Sequence, residues 1–367
     1  MKIVVTGTRG FPNIQGGIET HCEGLYPRIA AIKGMEVTVT RRRRYLAATS
    51  ESSWQGVRFK DISVPAINGV ESAIHTFLSV FYAWSIKADV LHIHGVGPAI
   101  AVPLAKILGL KVVVTHQGPD YERAKWGPFA KFVIRTGERF AALYANDIIA
   151  VSSVIVQLLE KKYKRTKNVH LIYNGVNIPV PVTTTDYLDT LGIAPLKYIL
   201  AVGRLVEEKN LDQLLDAFAA SFAGLHLVIA GDSDIETAYS RRLKARAKTM
   251  NNVTLTGMIK GNKLAELYSH AALLVLPSSH EGLPLTLLEA MSYKRRVVVS
   301  DIPANLAVKL DADSYFKLND PNDMKNKIQA RLEKGPAEQT YDLSAYNWDA
   351  IAEKTARIYT DLFTRSK

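Results

Sequence analysis

Ser279-His280-Glu281-Gly282-Leu283-Pro284-Leu285-Thr286-Leu287-Leu288-Glu289-Ala290 sets two carboxylates eight positions apart, across a Gly-Leu-Pro joint. Upstream, Ala271 to Leu276 reads as a buried strand; downstream, Leu285 to Met291 reads as a helix. Pro284 takes the first helical position, where a missing N–H costs nothing. Leu283, before it, has no side chain able to cap. The N–H groups of Leu285 and Thr286 are therefore left for an anion. Glu281 lies just before the helix and Glu289 a turn or two inside it. A sugar nucleotide suits that geometry, with one carboxylate for the sugar, one for the ribose and the diphosphate at the helix end.

The same strand–helix alternation extends in both directions. Lys2–Thr6, Met35–Thr40, Val57–Ile62, Asp89–Ile93, Lys111–Thr115 and Asp147–Val151 read as strands in the first half. Tyr198–Val202, Leu225–Ala230, Val253–Thr256, Ala272–Leu276 and Arg296–Ser300 do so in the second. They are rich in Val and Ile with little polar alternation, as parallel strands buried on both faces are. Two doubly wound α/β sheets follow. The Pro- and Thr-rich segment Ile178-Pro-Val-Pro-Val-Thr-Thr-Thr185 marks the linker. Domains are expected at 1–177 and 178–345, with a last helix from Trp348 to Phe363 placing Ile351, Thr355, Ile358 and Leu362 at helical spacing.

A length of 367 residues allows two cores. The single Cys22 excludes an internal disulfide and reads as a small apolar helix residue in a reducing compartment. The chain opens directly on a strand, so no signal peptide is expected, and no run approaches the roughly 20 apolar residues of a membrane span. The net charge of +11 attracts nucleic acid, anionic lipid or polyphosphate ligands. No zinc-finger spacing or RNA-recognition motif is present, so nucleic acid is not expected as a partner. A membrane surface carrying a lipid pyrophosphate is the more economical one.

Other candidate residues are read in context. The loop Gly7-Thr8-Arg9-Gly10-Phe11-Pro12-Asn13-Ile14-Gln15-Gly16-Gly17 opens a helix. It is either a tight turn or a loop whose backbone approaches a phosphate or sugar; its spacing is not the dinucleotide fingerprint. Arg204 and Lys209 precede Asn210, which has the look of a helix N-cap with Gln213 as its capping-box partner. Two cations there suit a diphosphate leaving group, or simply a solvated loop. His116 ends a strand, where open α/β sheets bind ligands, though packed histidines are common there too. Asp120, Arg123 and Lys125, with Tyr121 and Trp126, are either an acceptor site or a polar loop with aromatic anchors. His92 and His94 share a strand face but lack a third metal ligand and read as structural, with His94 at the cleft edge. The run Arg41–Arg44 is a solvated loop or an anionic-lipid contact, and the apolar helix around Ile74–Trp84 is a core helix or lies on a membrane.

Taken in order, these landmarks resemble the retaining glycosyltransferases of family 4. They are Gly16-Gly17, Thr115-His116-Gln117-Gly118, Asn174-Gly175-Val176-Asn177, Gly203-Arg204-Leu205 with Glu208-Lys209-Asn210, Gly231-Asp232, Gly257 and the Glu281/Glu289 pair. The resemblance covers nearly the whole chain and implies the GT-B fold, with a cleft between two Rossmann-like domains. It implies that 1–177, rejoined by a helix over 346–367, binds acceptor and that 178–345 binds donor. Arg204 and Lys209 would neutralise the diphosphate together with the Leu285 and Thr286 N–H groups. Glu281, Gly282 and His116 would orient the sugar, Glu289 the ribose, and Gly257 and Met258 would face the base. Gly16 and Gly17 would complete the donor site. No metal or other cofactor is expected.

The amino-terminal pattern resembles bacterial transferases that build surface polysaccharides, some using deoxysugar donors. The acceptor would be a lipid-linked oligosaccharide, or another saccharide, at the inner face of the cytoplasmic membrane. A sugar-nucleotide epimerase, a non-catalytic sugar-nucleotide binding protein and a nicotinamide-dependent dehydrogenase remain as rivals, the last disfavoured by the missing fingerprint.

Overall fold

The Val- and Ile-rich runs become parallel strands, and their order explains where ligands can bind. The computed structural model describes residues 1–14, 16–46, 51–65, 70–122, 126–219, 222, 224–233, 236–334 and 338–365. Two units divide the chain: Met1–Gly175 with Ala345–Lys367, and Val176–Ser344.

In the first unit the strands are β1 (Lys2–Thr6), β2 (Glu36–Arg42), β3 (Ser53–Trp54), β4 (Val57–Ile62), β5 (Val90–His94), β6 (Val112–His116), β7 (Asp147–Ala150) and β8 (Val169–Leu171). They form one sheet in the order β3-β4-β2-β1-β5-β6-β7-β8. All pairings are parallel except that of β3 with β4. The helices are α1 (Gly17–Ala30), α2 (Glu71–Ser85), α3 (Val102–Ile107), α4 (Pro128–Tyr144) and α5 (Ser153–Tyr163). Strands β5 and β6 are buried at every position, as the unbroken apolar runs require. The closing helix, Trp348–Thr364, packs Trp348, Ile351, Tyr359 and Leu362 into the core formed by Ile3, Val5, Cys22, Leu25 and Tyr26. Each such side chain contributes about 1.5–3 kcal/mol by leaving water. Gly24 and Gly175 have no alternative, because a Cβ on either would enter the Trp348 indole.

The second unit holds β9 (Tyr198–Val202), β10 (His226–Ala230), β11 (Val253–Gly257), β12 (Leu273–Leu276), β13 (Val297–Ser300) and β14 (Tyr315–Phe316). They make a parallel sheet in the order β11-β10-β9-β12-β13-β14. Its helices are α6 (Asp186–Leu191), α7 (Leu211–Ala219), α8 (Ala238–Lys248), α9 (Asn262–His270), α10 (Leu285–Ser292), α11 (Pro303–Leu306) and α12 (Pro321–Glu333). The strand order reverses between β1 and β5 in one sheet and between β9 and β12 in the other. Open α/β sheets take ligands at the carboxyl ends of the strands flanking such a reversal.

The arginine run is only partly a loop: Arg41 and Arg42 belong to a strand, while Arg43 and Arg44 are exposed on the short turn after it. Strand β2 extends through Arg42, so Arg41 enters the sheet and is buried. Its Nε and Nη2 donate to Asp61 at 2.7 and 3.0 Å, and its guanidinium lies 3.9 Å from the Phe59 ring centre. Arg42 donates to Ser72 and Arg44 to Glu71, each at 2.8 Å. Internal carboxylates and a hydroxyl thus hold three of the four guanidinium groups. Helix α2 is also inverted with respect to a core helix: His75, Thr76, Ser79 and Ala83 are buried, whereas Leu78, Phe81 and Trp84 are exposed.

Candidate active site

Three glycines line the carboxyl edge of the second sheet. The Gly203 N–H donates to Ala230 and the Gly231 N–H to Gly257, at 3.0 and 2.9 Å. A Cβ on Gly231 would strike the Gly203 carbonyl, so the backbones meet as closely as they do only because the side chain is missing. Arg204 follows β9 directly and is half-buried.

The loop after β9 is stitched to the loop after β12. Ser279 N–H donates to the Glu208 carbonyl at 2.9 Å, and Asn210 Nδ2 to the Pro277 carbonyl at 3.1 Å. Asn210 is therefore not the N-cap its sequence context suggests. It turns left-handed at φ 46°, and the Tyr239 hydroxyl accepts from the Leu211 and Asp212 N–H groups at 3.0 and 3.3 Å instead. Gln213 is turned toward Asn319.

That stitching brings Lys209 Nζ to 2.5 Å from Glu281 Oε1, with only 15% and 13% of the two side chains exposed. Pro284 occupies the cap of α10 rather than its first position, and no side chain caps the helix. The Leu287 and Leu288 N–H groups both donate to the Pro284 carbonyl. Among the described residues no acceptor meets the Leu285 or Thr286 N–H, and Thr286 Oγ1 is buried without a partner. An uncapped helix start close to the Lys209–Glu281 pair is a ready anion site.

Glu289 is on α10. Its Oε2 accepts from the Tyr268 hydroxyl at 2.7 Å, and Tyr268 stacks on Tyr293 with ring centres 5.2 Å apart. Burial raises the Glu289 carboxyl above the ordinary range, against the pull of the Tyr268 hydrogen bond. Gly257, at φ 68°, ends β11, and Met258 beside it is 54% exposed.

In the first unit, Gly16 precedes α1. A Cβ there would run into the Glu19 carboxylate, which accepts from Arg9 N–H at 2.8 Å and Thr8 Oγ1 at 3.2 Å. This loop already holds a negative group, so a sugar hydroxyl fits it better than a phosphate. His116 is 1% exposed, with Nε2 3.1 Å from Glu138 Oε1 and Nδ1 3.2 Å from the Gly118 N–H. Both ring nitrogens are engaged, so contact with a sugar requires one of these bonds to be exchanged. Asp120 lies on a short turn with Tyr121, whose hydroxyl points to Glu138. Arg123 and Lys125 lie outside the described residues.

His92 and His94 are stacked, with ring centres 4.4 Å apart, and both are fully buried. The Tyr26 hydroxyl meets His92 Nδ1 at 2.9 Å and His94 Nε2 at 2.5 Å, and burial lowers the His92 pKa to about 3. His94 is thus a core residue and not at an edge. Among the described residues no group of three or more His, Cys, Asp or Glu could hold a metal ion.

The residues that sequence reasoning missed are partners: Glu138, Lys162 and Tyr163 around His116, and Tyr268 on Glu289. Glu138 carried a readable signal, a carboxylate on the stripe of α4 otherwise made of Ile134, Gly137, Ala141 and Ala142.

Two family models match the chain, Glycosyltransferase Family 4 over residues 15–179 and Glycosyl transferases group 1 over residues 191–348. The alpha-maltose-1-phosphate synthase of Mycobacterium tuberculosis is 28% identical over 332 residues, 80% of this chain and 85% of that protein. The GDP-mannose:cellobiosyl-diphosphopolyprenol alpha-mannosyltransferase of Xanthomonas campestris is 27% identical over 279 residues, 74% and 68% of the two. The structure of a sucrose-phosphate synthase from Thermosynechococcus elongatus superposes with a TM-score of 0.80 at 20% identity, covering 99% of each chain. The likeness is thus not confined to builders of surface polysaccharide. With one match running along most of each unit, and the candidate residues gathered at the strand ends, the chain belongs to the glycosyltransferases of the GT-B superfamily, family 4 in its first part and group 1 in its second.

Proposed function

We propose that this enzyme, whose reaction uses a nucleotide sugar, transfers a hexosyl or deoxyhexosyl group with retention to a lipid-linked oligosaccharide at the cytoplasmic face of a membrane. The observation that carries the reading is the Lys209–Glu281 contact beside the uncapped start of α10. The diphosphate takes Arg204, Lys209 and the Leu285 and Thr286 N–H groups, which stabilise the charge that develops as the nucleotide leaves. Glu289 accepts from the ribose hydroxyls, and Gly257 and Met258 face the base. Glu281, with Gly282, holds the transferred sugar, and His116 orients it. These cations and N–H groups supply the positive potential, so no metal is needed.

Retention then follows from front-face attack, with the leaving phosphate taking the acceptor's proton. A carboxylate nucleophile is disfavoured because Glu281, the nearest candidate, is paired with Lys209 and suited to binding hydroxyls.

An exposed face of the first unit supports the lipid-linked acceptor. Leu78, Phe81 and Trp84 on α2, Ile107 on α3 and Phe129 and Phe132 on α4 are all exposed. The three helices are neighbours, and exposed Arg135 and Arg139 lie among the α4 aromatics. Aromatic residues interleaved with cations suit an anionic bilayer surface. The Xanthomonas relative, whose name specifies a polyprenol-linked acceptor, points the same way. The similarity to alpha-maltose-1-phosphate synthase favours a second reading, transfer to a soluble sugar phosphate. Nucleotide diphosphate release from a donor panel, with a lipid-linked saccharide or a sugar 1-phosphate as acceptor, separates the two. Release that needs neither acceptor points to an epimerase-like enzyme, and binding without release to a sensor.

A further inference from the structure

Glu138 is 0% exposed, yet four groups converge on its carboxylate. His116 Nε2 is 3.1 Å from Oε1, while Lys162 Nζ, Tyr163 Oη and Tyr121 Oη are 2.5, 2.6 and 3.4 Å from Oε2. Burial by itself would raise this carboxyl; the hydrogen bonds from His116, Lys162 and Tyr163 outweigh it and hold it below the ordinary range. Glu138 is therefore an acceptor with no proton to give. Lys162 supplies its counter-charge from the solvent side, with 41% of its side chain exposed.

At the other ring nitrogen the Gly118 N–H donates to His116 Nδ1 at 3.2 Å. A backbone N–H can only donate, so Nδ1 carries a lone pair; a carboxylate can only accept, so Nε2 carries the hydrogen. The ring is neutral and its tautomer is fixed from both sides. Gly118, at φ 139°, has the backbone freedom to turn its N–H back onto the ring it follows.

We propose that Glu138, with Lys162 as counter-ion, is a positioning residue that locks His116 in the neutral Nε2–H tautomer, so that the group this histidine can offer a sugar is the Nδ1 lone pair. A sugar hydroxyl donates to Nδ1 in exchange for the Gly118 N–H, the longer of the two ring bonds. His116 then acts neither as a cation nor as a proton donor. The sugar contact rests on the function proposed above; the lock does not.

Nitrogen-15 NMR of the full-length, histidine-labelled protein tests it, with the His116 signals assigned by their loss in His116→Gln. The wild type should show the Nε2–H tautomer at neutral pH. In Glu138→Gln the new amide can donate to Nε2, so the Nδ1–H tautomer should appear. Its kcat should fall by about tenfold or more while affinity for the nucleotide diphosphate of the active donor is unchanged, as for loss of a positioned group. Should Glu138→Gln not fold, Lys162→Met keeps the carboxylate and removes its counter-charge, and the His116 Nε2–H signal should move downfield as its bond to the less compensated carboxylate strengthens. A wild-type Nδ1–H tautomer or an imidazolium at neutral pH overturns the proposal. So do variants that leave the His116 signals and kcat unaltered. A wild-type Nε2–H tautomer that Glu138→Gln loses while kcat stays normal would instead count against the sugar contact.

Discussion

Lys209 Nζ and Glu281 Oε1 are 2.5 Å apart, so the cation expected at the diphosphate and the carboxylate expected at the sugar are partners of each other. On the donor placement proposed above, a sugar nucleotide inserts beside this pair, with its phosphates on one side of Lys209 and its hydroxyls on the Glu281 oxygens. Lys209→Ala removes the phosphate contact and also leaves Glu281 without its counter-charge. Turnover should fall by about a hundredfold in Lys209→Ala and in Arg204→Ala, as for losing one preorganised charge stabiliser. Near-normal kcat at saturating donor in either variant removes that residue from the leaving-group site.

The two glutamates should separate cleanly. Glu289 lies inside α10 and Glu281 before it, on opposite sides of the helix start proposed to hold the phosphates. Glu289→Gln should weaken donor and free nucleotide diphosphate alike. Glu281→Gln should spare nucleotide diphosphate affinity and cut turnover. Calorimetry on both variants decides it; the opposite pattern means that the donor lies the other way round.

Glu289 also fixes a sign for stability. Its carboxyl is raised in the folded chain, by burial first, so the folded state binds the proton more tightly than the unfolded one. Stability is then lost as pH rises from the ordinary carboxylate range through the raised value, and stays lost above it. Glu289→Gln should match the wild type near pH 4 and unfold at a higher temperature by about pH 8. A wild type that gains on the variant as pH rises would contradict the assignment of burial as the dominant influence.

Strands and helices were legible where one physical signal dominated. β1, β4 and β9 have the limits their apolar runs mark, and the closing helix buries Ile351, Thr355, Ile358 and Leu362 as spaced. The strands missed are β3, β8 and β14, two or three residues each and too short to carry a pattern. Side-chain partnerships were not legible, because they join positions far apart in the chain. Tyr239 displaces Asn210 as the cap of α7 from 28 residues beyond the first capped N–H. Arg41 finds Asp61 only because β2 and β4 are neighbours. Composition gives the charge of the arginine run but not whether it faces water.

Membrane attachment should follow the exposed aromatics and not that run. Phe129→Ser with Phe132→Ser should reduce binding to anionic vesicles by about a hundredfold or more, since each buried aromatic contributes roughly 1.5–3 kcal/mol. Arg43→Ala, at one of the two exposed members of the run, should change it little. Sedimentation with phosphatidylglycerol vesicles measures both, and attachment should weaken with salt, which screens the charges beyond about 8 Å at physiological strength. Unaltered binding of the double variant, or equal binding to neutral vesicles, would remove this face from the account.

The central claim is that Arg204, Lys209 and the start of α10 drive acceptor-dependent transfer from a nucleotide sugar without a metal. The most direct measurement is nucleotide diphosphate release from a panel of UDP-, GDP- and dTDP-sugars, with and without a lipid-linked saccharide, in the presence of EDTA. The account predicts release with one donor class that requires the lipid-linked acceptor and persists in chelator. Release abolished by EDTA and restored by a divalent ion, or release indifferent to every acceptor, would contradict it.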